Sequence, residues 1–192
     1  MIDTLNEGRL GNSGGGFLGG QYLINCYTSF IRNDDKVYYA ACPDENCRRK
    51  VIEETTGTFR CENCNKSHDS CLPTFMLSAK IADQSSNSIF VNFYRDQGQQ
   101  LMGAITAAEI KQLREDGNTQ AVCDAFFDAQ FQHHQIMVKA RVNQPSTTGY
   151  DNGAERIQFF AGKVLPHSFS EENRELLRRL EIYKTISQVQ AE

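Results

Sequence analysis

Residues 42–64, CPDENCRRKVIEETTGTFRCENC, carry two close cysteine pairs, Cys42 with Cys47 and Cys61 with Cys64, separated by 13 residues. Two sulfurs on one tight turn can reach the same ion. Two such turns supply four thiolates, which suit Zn2+ and close a tetrahedron with no open coordination position. A closed site is structural rather than catalytic. The intervening RRKVIEETTGTFR reads as two short β segments around Gly57. The stretch is therefore expected to be a zinc ribbon in which Cys42, Cys47, Cys61 and Cys64 hold one structural zinc ion. Free or redox-paired thiols are the competing reading. His68 and Cys71 lie just downstream, but neither repeats the knuckle spacing, so they stay outside the expected ligand set.

The chain has seven cysteines, an odd count, with Cys26, Cys71 and Cys123 scattered outside the two pairs. A secreted disulfide framework normally pairs all its cysteines, so the pattern favours a reducing compartment, with Cys26 and Cys123 as core residues. The 192 residues are 40% hydrophobic and 23% charged, which is enough to bury a core that the metal only supplements. No apolar run approaches a membrane span and the N-terminus has no signal-like apolar region, so a soluble intracellular protein with no membrane partner is expected. A Ser-His-Asp order, HExxH, a P-loop and paired carboxylates are all missing, so neither an enzyme nor a small-molecule substrate is expected. The net charge of −4 means that any nucleic-acid surface must gather its cations on one face.

Outward from the cysteines, apolar alternation gives strands at 22–31, 36–41, 75–82, 89–94, 133–143 and 155–165. Between the last two pairs fall helical signals at 97–103, from the Thr106–Glu109 capping box to about 115, and at 119–128. Seven glycines fall within residues 1–20, which read as a linker. Ser170 begins a cap-like SEEN run, and a terminal helix extends to about 188. The layout is mainly β with helices. Five strands with helix between the third and fourth match a five-stranded OB-fold barrel, here with a zinc ribbon inserted between strands 1 and 2 and a C-terminal helix. Periodicity leaves other small barrels open. The expected organisation is a linker at 1–20, an OB unit at 21–168 with its ribbon at 38–71, and an oligomerisation helix at 169–192.

YYAACPDENCRRKVIEETTGTFRCENCNK at 38–66, followed by MLSAKIAD at 76–83, resembles the C-terminal DNA-binding domain of the replication protein A large subunit. The resemblance covers about residues 21–190. It implies an OB fold with a zinc ribbon between its first two strands. It also implies single-stranded DNA binding by stacking and basic contacts, and a nuclear role in replication, repair and recombination. Assembly with two smaller OB-fold subunits of a heterotrimer through the C-terminal helix is implied as well. A telomerase-associated or meiotic paralogue, or a zinc-stabilised assembly module with little DNA binding of its own, is the alternative.

An OB fold holds single strands across its second and third strands. In 89–94, Ile89, Val91 and Phe93 share one face, leaving Phe90 and Tyr94 on the other as a stacking platform. Alternation puts Lys80, Lys139 and Arg141 on outward faces, where they can track phosphates. Tyr150, in the loop between the last two strands, matches a family tyrosine in a YDN motif, and Arg156 stands at the loop exit. In the terminal helix Leu176, Leu177, Leu180, Tyr183 and Ile186 fall on one side, a partner-binding stripe.

Overall fold

Alternation of residue character sets the strands. In Ser88–Tyr94, Ile89, Val91 and Phe93 are buried, while Phe90 and Tyr94 are exposed. Residues of a strand point alternately to its two faces, so one face enters the core and the other stays outside. The computed structural model describes residues 17–84, 87–143 and 156–189. In chain order the elements are β1 (Phe17–Ile31), β2 (Tyr38–Ala41), β3 (Ile52–Thr55), β4 (Thr58–Cys61), β5 (Lys66–His68), β6 (Leu72–Ala82) and β7 (Ser88–Tyr94). Then come α1 (Arg95–Met102), α2 (Ala107–Glu115), α3 (Thr119–Asp128), β8 (His133–Asn143), β9 (Arg156–Pro166) and α4 (Phe169–Val189).

Strand β1 pairs antiparallel with both β6 and β8. Strand β8 continues to β9, β9 runs parallel to β7, and β7 returns antiparallel to β6. The ladder β1-β8-β9-β7-β6 therefore comes back to β1, and β2 adds to the side of β6. Strands β3-β4-β5 form a separate sheet between β2 and β6 in sequence. The inward faces of the ring supply Ile24, Leu77, Val91, Phe93, Ile136 and Val138, and the helices add Leu101, Ile110, Val122 and Phe126 to the same core. Helix α2 opens with the expected box: the Thr106 hydroxyl accepts from Glu109 N at 3.2 Å, and Thr106 N donates to the Glu109 carboxylate at 2.7 Å.

Several expectations change. Strand β1 begins at Phe17, inside the glycine-rich stretch assigned to a linker over 1–20. Pairing of Phe17 with Arg141 extends the ladder, and an irregularity between Phe17 and Gln21 absorbs the intervening residues. The cysteine-bearing sheet gains a third strand, because β5 lies back against β4. Cys123 is exposed, on the outer side of α3, whereas Cys26 is buried as expected. The residue capping α4 is Ser168 rather than Ser170, its Oγ accepting from Glu171 N at 3.4 Å. The start of α4 is held by Phe169 against His167 (ring centroids 4.5 Å apart), by His167 Nε2 to Glu172 at 2.8 Å, and by a Gln84–Glu172 hydrogen bond. Beyond this anchor Leu176, Leu177, Leu180, Ile182 and Tyr183 are all exposed. Ile186 belongs to the helix, but its side chain lies outside the described set. Among the described residues no helix is long and apolar enough to cross a membrane.

Candidate nucleic-acid interface and cysteine cage

The two cysteine turns bend back through left-handed residues. Arg48, directly after Cys47, has φ 45°, and Asn65, directly after Cys64, has φ 53°. These turns aim backbone N–H groups at sulfur: Asp44 N at Cys42, Asn63 N and Cys64 N at Cys61, and Lys66 N at Cys64. The four sulfurs of Cys42, Cys47, Cys61 and Cys64 lie within 4.8 Å of one another. Each turn faces the other across a short gap, with Cys42 Sγ 3.7 Å from Cys64 Sγ and Cys47 Sγ 3.5 Å from Cys61 Sγ. All four are free thiols, and the cage could hold a metal ion. The Cys64 N–H brings the Cys61 thiol down to about 7, while burial pushes Cys64 up to about 12 and raises Cys42. Two neighbours support the cage from outside. His68 Nε2 stands 3.3 Å from Cys42 Sγ, and Asn63 Nδ2 donates to Cys47 Sγ at 3.4 Å. Cys71 packs beside the cage without joining it.

The outward face of the strand ring gathers rings and cations. Lys80 on β6 is directly opposite Phe90 on β7, and Phe30 on β1 flanks Lys80 from the other side. Directly opposed residues share a face, so Phe30, Lys80 and Phe90 form one row. Phe30 is 46% exposed and Phe90 47%. A second row crosses the parallel seam: Ser78 opposes Asn92, Asn92 is in register with Phe160, and Phe160 opposes Lys139. Tyr94, two residues beyond Asn92, lies near-parallel to Phe160, with centroids 6.2 Å apart and planes 22° apart. The stem of Lys139 runs over Gly162, where an added Cβ would sit 3.1 Å from Lys139 Cε. Arg141 is exposed and opposes Gln158. An open groove of about 200 Å³ beside Tyr94 is lined by Arg32, Lys36, Met76, Ser78 and Asn92 among others. Arg156 begins β9 opposite Asn143, with its side chain outside the described set, and Tyr150 lies outside the described residues altogether.

The family model for the replication factor-A C terminal domain matches residues 22–176. The chain belongs to that family. Among its relatives, the replication protein A 70 kDa DNA-binding subunit of Xenopus laevis is 28% identical over 92% of this chain and 30% of its own length. The subunit of the same name from Danio rerio is 30% identical over 77% of this chain and 23% of its own length. The chain thus spans less than a third of the curated relatives it matches. A structure of a replication protein A heterotrimer bound to ssDNA superposes with a TM-score of 0.76 at 22% identity, covering 95% of this chain and 39% of that one. Yeast RPA bound to ssDNA gives a TM-score of 0.71 at 23% identity, covering 93% and 95%. At these identities the likeness is one of fold.

Of the residues that alternation singled out in the sequence, the structure brings Lys80 to Phe90 directly. It links Tyr94 to Lys139 through Phe160. Sequence reasoning passed over Phe30, Phe160, Arg32 and Lys36. Alternation in IQFFAGKV does put Phe160 opposite in sense to the buried Phe159, so that signal was available. The placement of Arg32 and Lys36 beside Tyr94 depends on how the β1–β2 loop folds, which no periodicity records.

Proposed function

We propose that this chain is a module that binds single-stranded DNA and assembles with two smaller OB-fold subunits, acting in the nucleus in DNA replication, repair and recombination without enzymatic activity of its own. The observation that carries the reading is the outward face, where the exposed rings Phe90 and Tyr94 of β7 share a surface with Lys80 of β6 and Lys139 of β8. Bases stack on such rings whatever their identity, while cations follow the phosphates. The returning β1-β8-β9-β7-β6 ladder supports a five-stranded OB-fold barrel, whose second and third strands are β6 and β7. Phe90, Tyr94, Lys80, Lys139 and Arg141 are the proposed contacts, with Tyr150 and Arg156 from the β8–β9 connection. The exposed leucines of α4 favour a helical partner.

The cysteine cage fits zinc. A tetrahedron with Zn–S bonds of about 2.3 Å has edges of about 3.8 Å, close to the 3.5 and 3.7 Å sulfur separations. A disulfide would need about 2.05 Å. When bound, zinc would cross-link the two cysteine turns as a structural ion. Cys42, Cys47, Cys61 and Cys64 would be its ligands, and the β3-β4-β5 sheet would be its ribbon, set between the first two barrel strands.

The test is a titration of the chain with fluorescein-labelled single- and double-stranded DNA at two salt concentrations. The expected result is a preference for the single strand that weakens with salt. Phe90→Ala and Tyr94→Ala should each weaken binding about 5- to 150-fold, the equivalent of about 1–3 kcal/mol per lost stack. Equal affinity for the two forms, or unchanged affinity in both variants, would remove this reading.

A further inference from the structure

We infer that the DNA track includes β9, across the parallel seam from β7, where Phe160 is a further stacking residue beside the already proposed phosphate contact Lys139. The inference rests on the single-stranded-DNA reading above and extends it to a residue that reading does not need. Three observations point the same way. First, the outward face repeats one unit. Lys80 opposes Phe90 across β6–β7, and Lys139 opposes Phe160 across β8–β9. In each unit a ring and a cation share one face at adjacent cross-strand positions, the separation at which side chains interact. Second, the units are joined rather than isolated. The Tyr94 ring on β7 lies near-parallel to the Phe160 ring on β9, 6.2 Å between centroids, so the apolar surface continues over the seam. Third, Phe160 is set apart from its neighbour in the chain. Phe159 is buried in the core at 8% exposure, while Phe160 is half-buried on the outer face.

A large aromatic ring on the outside of a strand leaves apolar surface in water unless something covers it. Phe160 is half-buried, so part of its ring surface stays accessible. The stem of Lys139 runs along Gly162, where an added Cβ would stand 3.1 Å from Lys139 Cε, so the glycine leaves room for the lysine on the face that carries Phe160. A ligand that presents a flat base to a ring and an anionic backbone to a cation, repeatedly along its length, matches the pattern. A single nucleic-acid strand has this chemistry.

The experiment uses the full chain and a fluorescein-labelled oligothymidylate. Phe160→Ala is expected to weaken binding by about 5- to 150-fold, as the loss of one stack does. Phe160→Tyr should keep the affinity, because the ring remains. Lys139→Gln should reduce the slope of log affinity against log salt by about 0.7, the share of one phosphate on a single strand. A parallel crosslinking run with an oligonucleotide carrying 5-iodouracil should place an adduct on the peptide containing Phe160. If Phe160→Ala binds as tightly as the parent while Phe90→Ala does not, the extended track is wrong and the proposed function stands. If the parent chain does not prefer single strands, both fall together. Should Phe160→Ala fail to fold, the crosslink decides: adducts on Phe90 or Tyr94 with none on Phe160 overturn the inference.

Discussion

Gly98 shows how far a single side-chain atom matters. It lies in α1, and a Cβ added there would stand 2.6 Å from the Cβ of Phe75, one of the most fully buried residues of the core. The obstructing atom is close to the β6 backbone and cannot swing away, so the helix would have to move. Gly98→Ala is expected to destabilise the chain by about 1–3 kcal/mol, the usual cost of overpacking, despite alanine's better helix propensity. Urea unfolding measures this. A stability equal to or above the parent's would mean that α1 slides over Phe75 without strain. The sequence shows a glycine in RDQGQQLM but gives no sign that it is a contact glycine. Helix signals report local preference, whereas the contact comes from a strand more than twenty residues earlier.

At the scale of an element, α4 differs from the other helices. Helices α1 to α3 bury Leu101, Ile110, Val122 and Phe126 in the common core. Helix α4 is anchored at its start through Phe169 and Glu172, and it leaves Leu177 at 61% and Leu180 at 55% exposure. A stripe of this kind costs solvation until a partner covers it. The double variant Leu177→Asp, Leu180→Asp should leave the thermal midpoint of the isolated chain unchanged, since neither side chain supports the strand ring. The same variant should lose the proposed co-assembly with two smaller OB-fold subunits, followed by size-exclusion chromatography with light scattering. A large drop in the midpoint would show instead that α4 stabilises its own domain. The helical period and its apolar stripe were legible in the sequence. Whether the stripe faces inward or outward was not, because amphipathicity says that a face seeks cover and not whose cover it finds.

For the whole molecule, the question is how the cysteine cage communicates with the outward face. Arg48 follows Cys47 and reaches Asp96 at 3.3 Å, while its carbonyl accepts from the Tyr39 hydroxyl at 3.4 Å. The Arg95 Nε in turn donates to that hydroxyl at 3.4 Å. Arg95 and Asp96 directly follow Tyr94, so the cage and the ring share a short polar path. The ion pair is exposed and weak by itself, and the path works only while the cysteine turn is rigid. Removal of the proposed zinc by a chelator should therefore weaken DNA binding in the parent chain and have less effect once Tyr94 is already alanine. A double-mutant-style comparison of the four affinities tests this. Equal loss on chelation in both chains would mean that the cage acts on binding by some route other than Tyr94.

Local chemistry fixed much of this protein in advance. The four cysteines declared their cage through spacing, since each close pair puts two sulfurs on one tight turn. Strands β7 and β8 declared their inner faces through period-two alternation, and Thr106 with Glu109 declared the start of α2. The strand faces, the helix start and each cysteine turn depend on residues within a few positions of one another, so the sequence contains their cause. The tertiary structure decided what depends on distant partners. It drew β1 into the glycine-rich stretch by pairing Phe17 with Arg141, turned Cys123 outward, returned β5 to the cysteine sheet, and set Tyr94 beside Phe160 across a parallel seam between strands far apart in the chain. Ladder closure sets the pairing of β1 with β8 and of β7 with β9, and no window along the sequence spans a closed ring.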